Sequence, residues 1–143
     1  MRNSRASLFL MELMISILFF SLSSAVCIQL FVKAHTINTD TENQSNATLI
    51  AQDISELFHH TYGNKEQFLS YYDKYETEEN EVLLFFTDNN HSCSKENAHY
   101  TATLSFNQDG AFRILTMKIT CSGKEDILYS STLKKYIPTT ISI

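Results

Sequence analysis

Glycine is nearly absent: the chain has three in 143 residues, with one proline and no tryptophan. Phosphate-cradling loops and dinucleotide fingerprints need clustered glycines, so neither is expected. Collagen-like repeats and Gly- or Pro-rich linkers are excluded on the same ground. Basic residues are also scarce. Eleven Lys and Arg stand against sixteen Asp and Glu, giving a formal net charge of −5. So acidic a chain has no general basic face, and no nucleic-acid partner is predicted. No nucleophile elbow surrounds a serine. The acidic run Glu76–Glu81 lacks the alternating Asp/Asn and the Gly of a calcium loop. His91, Cys93, His99 and Cys121 fit no standard zinc spacing. The neighbours His59 and His60 would point about 100° apart on a helix and not share a metal. No catalytic residue, metal or cofactor is therefore expected.

What the chain does have is one long apolar run. Leu8 to Val32 reads LFLMELMISILFFSLSSAVCIQLFV, with no Lys, Arg, Gly or Pro and a single acid, Glu12. About 20 apolar residues suffice to cross a bilayer as a helix. Arg2 and Arg5 precede the run, and Lys33 and His35 follow it. Basic residues beside a first span tend to stay cytoplasmic, which orients the N-terminus inside and the C-terminal part outside the cell membrane. Ser21 to Ala25 could serve as a secretory cut site, but the run continues through Val32, beyond the usual core of a signal peptide. Glu12 needs an explanation, because an ionised carboxylate in lipid requires a partner or a route to the interface.

After the run the helical period weakens but persists. Residues 36–46 (TINTDTENQSN) are poor helix formers, and fraying or a break is expected there. Ala47, Leu49, Ile50, Ile54, Leu57 and Phe58 then form one apolar face, with Gly63 as a C-terminal cap. Asn64 caps a second helix predicted over Lys65–Lys74, and residues 73–81 read as an acidic connection. Four strands follow, predicted at Glu81–Thr87, Ala98–Phe106, Ala111–Cys121 and Asp126–Lys134. Asn107–Gly110 and Ser122–Glu125 supply turn chemistry between them. An antiparallel meander with one covered face is implied. The predicted organisation is a basic leader (1–7), a transmembrane helix (8–32), its continuation (33–63) and an extracytoplasmic sheet domain (64–143). The fold class is α+β. Folding back at Asn107–Gly110 sets Cys121 opposite residues 96–98, with Cys93 just beyond. A Cys93–Cys121 disulfide is then within reach in an oxidising compartment. Asn43, Asn46 and Asn90 begin N-x-S/T sequons, relevant only in a glycosylating pathway.

The segment Ser7-Leu8-Phe9-Leu10-Met11-Glu12, at the head of such a helix and sheet, resembles the N-terminus of type IV pilins and of type II secretion pseudopilins. In that family a short basic leader is removed by a prepilin peptidase, and a Glu stands fifth in the mature chain. Ser7 would be the last leader residue and Leu8 the first mature one. The family ends its leader in Gly and starts its mature chain with Phe or Met, so Ser7 and Leu8 both depart from the pattern. The Pro often found in the lipid half is missing too. The resemblance implies a structural subunit of a filament, secretion or DNA-uptake assembly. Its partners would be the lipid bilayer and other pilin-like subunits, with Glu12 meeting a neighbour's free α-amino group. Two other readings stay open: an uncleaved single-pass protein with an outer binding domain, and Glu12 reaching back to the interface.

Overall fold

The computed structural model describes residues 2–138, and side chains from Ser4 onward. Met1 of the predicted leader and residues 139–143 of the predicted sheet domain lie outside the described residues. The chain is α+β. Its elements are α1 (Arg2–His60), α2 (Lys65–Leu69), β1 (Glu76–Glu78), β2 (Glu81–Phe86), a 3₁₀ turn (Lys95–Asn97), β3 (Tyr100–Asp109), β4 (Phe112–Cys121) and β5 (Ile127–Tyr136). Its contacts divide it into two compact units, residues 1–41 and 42–143.

No break interrupts α1, although one was expected at residues 36–46. The reason lies in the side chains that make this stretch a poor helix on paper. Thr36, Thr39 and Thr41 each turn the hydroxyl back to the carbonyl four residues earlier, at 2.8–3.2 Å. The hydroxyls thus bond to helix carbonyls already in place and do not compete for the backbone. α1 stops after His60 because Tyr62 and Gly63 take positive φ (51° and 70°). The Gly63 N–H reaches back to the Phe58 carbonyl at 2.9 Å, closing the last turn as a left-handed cap does. A Cβ at Gly63 would meet Arg113 Cβ at 2.9 Å, so glycine is required twice over.

α2 is half as long as predicted. Asn64 Oδ1 caps it by accepting from the Glu66 and Gln67 amides. It ends at Leu69, where the Ser70 hydroxyl takes the Gln67 carbonyl and the Tyr71 and Tyr72 amides bond three residues back. That tighter turn redirects the chain into β1.

The sheet has five antiparallel strands in the order β1-β2-β3-β4-β5, not four. The missed strand is β1, inside the stretch read as an acidic connection. Its glutamates do not prevent pairing, because an edge strand can send its charges to solvent. The β3–β4 hairpin also turns later than expected. Asp109 pairs with Phe112, leaving Gly110 at φ 56° in a two-residue turn.

One face of this sheet and one stripe of α1 make the core. Ala47, Ile50, Ala51, Ile54 and Phe58 recur every three or four residues and are buried. They meet Val82, Leu84 and Phe86 of β2, Tyr100, Ala102 and Leu104 of β3, and Leu115, Met117 and Ile119 of β4. Phe68 from α2 closes one end against Phe106 and Tyr72. Leu49, expected on the apolar face, is 47% exposed, and Ala51 takes its place in the core. The two leucine-sized side chains Ile54 and Leu49 should therefore behave oppositely. Ile54→Ala is expected to cost about 2–5 kcal/mol, and Leu49→Ala no more than about 0.5 kcal/mol, in denaturant unfolding of the detergent-solubilised chain.

Candidate functional site

The first part of α1 is long and apolar enough to cross a membrane, and that window is wholly unburied by the rest of the chain. From Leu8 to Val32 nearly every large side chain is exposed, Phe9 at 65%, Phe20 at 75% and Phe31 at 78% among them. Such a continuous apolar surface marks a lipid or protein contact. Two of its polar side chains are made compatible with it. The Ser16 and Ser21 hydroxyls donate to the carbonyls of Glu12 and Ile17, each at 2.9 Å. Their hydrogen-bonding capacity is spent within the helix, as an apolar solvent demands.

Glu12 is the one charged residue of the run. It is exposed on α1, one turn beyond Leu8 and one turn before Ser16. Among the described residues no cation pairs with it; the ion pairs found are Lys95–Glu76 and His99–Asp88, both in the second unit. Ser7 and Leu8 lie within α1, which runs unbroken through them.

The second unit carries a polar lock that the sequence reading missed. Tyr100 is 1% exposed. Its hydroxyl donates to Asn43 Oδ1 at 2.9 Å and accepts from Asn46 Nδ2 at 3.2 Å. A buried hydroxyl needs such partners, and two asparagines three apart on α1 supply them. Burial raises the Tyr100 pKa, against the Asn46 hydrogen bond, which favours the ionised form. The two asparagines had registered only as sequons. Their amides are committed to Tyr100, and Asn46 Nδ2, where a glycan would attach, points at β3. Only the three-residue spacing Asn43–Asn46 hinted at a shared helix face.

Cys93 and Cys121 are not brought together. Cys121 is buried on β4 opposite Tyr100, not opposite residues 96–98. The register is set by the late hairpin turn. Cys93 lies along the other edge of β2, its amide donating to the Phe85 carbonyl at 2.9 Å. β2 and β3 stand between them, which is roughly 14 Å at three strand spacings, twice the reach of a disulfide. Burial raises the Cys93 pKa, with Lys74 opposing.

The histidines are spread out. His59 sits edge-on to Phe58 and His60 to Tyr71, and His99 Nδ1 meets Asp88 Oδ1 at 3.0 Å.

The second unit pairs a helix stripe with an antiparallel sheet, and the helix begins with an exposed apolar half. That is a pilin-like architecture. Compared with family models, with curated proteins and with solved structures, the chain matches none.

Two measurements follow from these placements. Denatured without reductant, the protein should take up one alkyl group at each of its three cysteines, read by intact mass. Alkaline stability should report Tyr72, whose pKa burial and the Asp53 carboxylate push up to about 12. The unfolded tyrosine ionises near 10. The stabilising difference is complete below pH 10 and is lost as pH rises towards 12. Tyr72→Phe should make that alkaline decline shallower in denaturation curves taken between pH 9 and pH 12.

Proposed function

We propose that this chain is a minor pilin or pseudopilin-like structural subunit. It is held in the cell membrane by Leu8–Val32, with its sheet domain outside, and joins a filament, secretion or DNA-uptake assembly. The observation that carries the reading is Glu12: a carboxylate without an ion-pair partner among the described residues, in an otherwise apolar, exposed helix half. In lipid such a charge is costly. Pairing with a cation from a neighbouring helix relieves the cost, and the free α-amino group of a mature Leu8 is a cation at the right depth. Once that pairing is available, assembly brings subunits into register because each neutralises the next.

A second reading rests on Ser7, a residue the family does not favour before the cut. On it, the leader stays, the protein is a single-pass anchor, and the sheet domain binds an outside partner. Leu8 then has no free amine, and Glu12 lies close enough to the basic N-terminus to find its counter-charge at the interface.

Intact mass and N-terminal sequencing of the protein from its native membrane separate the two. The subunit reading expects a chain that begins at Leu8. A chain that retains Arg2 and Arg5 would exclude pairing through Leu8. Glu12→Ala supplies the functional arm: the variant should still insert in the membrane and fail to enter assemblies. Unchanged incorporation would refute the charge-pairing role.

A further inference from the structure

The order β1-β2-β3-β4-β5 leaves the sheet with two outer edges. Among the described residues neither is covered by another strand. An edge is a row of unpaired backbone donors and acceptors, ready to pair with another chain. These two edges differ in charge. β5 carries Lys134 and Lys135 and no acid. β1 carries Glu76 and Glu78 and no base, and the turn into β2 adds Glu79. Glu76 is held by Lys95 Nζ at 2.8 Å. Glu78 and Glu79 are exposed and take part in no ion pair among the described residues. Lys134 is exposed on the opposite edge, and Lys135 leans over the Tyr62 ring at 5.5 Å.

The two charged patches also lie near the same level, offset by about two residues along the strand direction. Neighbouring strands alternate in direction, so β1 and β5 run parallel. Across the ladder Glu78 stands opposite Glu81, Glu81 opposite Ser105, Ser105 opposite Thr116 and Thr116 opposite Thr132. A second copy moved sideways by one sheet width therefore sets its Glu78 beside Thr132 of the first. Its Glu79 then falls beside Leu133, with Lys134 next along the strand and Lys135 after it. Short, acidic and basic edges ordinarily keep sheets apart. Here the two edges of one sheet are complementary, and complementary charge directs contact.

We propose that the β5 edge of one copy docks beside the β1 edge of the next, with Lys134 and Lys135 a short step along the strand from Glu78 and Glu79 and within reach of them, so that copies add head to tail. The contact uses different patches on its two sides, so it does not close on itself and generates an open row. A sideways repeat leaves every copy pointing the same way, as insertion in one membrane requires. The inference rests on the subunit reading above and adds the outer contact that would accompany Glu12.

Paired cysteines test it without touching the charges. Thr77 and Ser131 are level across the same ladder, through Val82, Leu104 and Met117. Full-length Thr77→Cys/Ser131→Cys protein in its native membrane, mildly oxidised, should give a ladder of dimers, trimers and higher species. The parent with its own cysteines and each single variant should give none. Lys134→Glu/Lys135→Glu should abolish the ladder, and adding Glu78→Lys/Glu79→Lys should restore it with polarity exchanged. Dimers from Ser131→Cys alone would mean β5 pairs with itself and would overturn the proposal. So would a ladder indifferent to the charge reversals. If no ladder forms while Glu12→Ala still abolishes assembly, edge docking is wrong and the subunit reading stands. If neither the ladder nor the Glu12 effect is seen, both fail together.

Discussion

The second unit depends on one burial event: an antiparallel sheet with a single apolar face covered by a single helical stripe. Val82, Leu84, Tyr100, Ala102, Leu104, Leu115, Met117 and Ile119 would be a wet hydrophobic surface without Ala47, Ile50, Ile54 and Phe58 above them. Burying a side chain of this size contributes on the order of 1.5–3 kcal/mol. No other described element offers a stripe wide enough to replace α1. The polar features of the unit are arranged around that contact. Gly63 ends the helix where Arg113 and Phe58 leave no room for a Cβ, and Asn43 and Asn46 pin the start of the packed stretch to Tyr100.

The same helix is divided between two solvents by composition alone. Its first half is apolar on all sides and buries nothing, so it needs lipid or other helices. Its last part is apolar on one side and is satisfied by the sheet. Between them, residues 36–46 have little burial to hold them, and their threonines turn their hydroxyls back to the helix's own carbonyls. The proposed subunit would use the two ends of the chain for different contacts: Glu12 in the apolar half, and the charged edges of the sheet in the second unit.

Much of this was legible in the residues. Leu8–Val32 declares a span by length, and Glu12 declares itself by being the only charge in it. The strand runs of β2 to β5 and the helix face around Ile50 and Ile54 follow from period 2 and period 3.6. The errors were local and share a cause. β1 was missed because acidic residues have poor strand propensity, yet an edge strand buries neither its backbone rim nor its charges. α2 was overextended because Tyr71 and Tyr72 continue the apolar content of Phe68 and Leu69, while Ser70 ends the helix through its own hydroxyl. Leu49 was placed in the core by type, when the stripe runs through Ala51.

The sequence by itself determined the things that depend on neighbours along the chain: the apolar span, the charge inside it, the helix periods, the glycine at the helix end and the alternation of the strands. Local pattern is enough for these because helix and strand repeats are properties of a short stretch. Only the tertiary structure decided what depends on register. The late hairpin turn moved Cys121 opposite Tyr100, and the order of the strands put β2 and β3 between it and Cys93. The same register made two sequon asparagines the partners of a buried tyrosine. It also set an acidic edge across the sheet from a basic one, more than fifty residues away along the chain. Cross-strand pairing sums contributions from distant segments, and no local stretch carries that information.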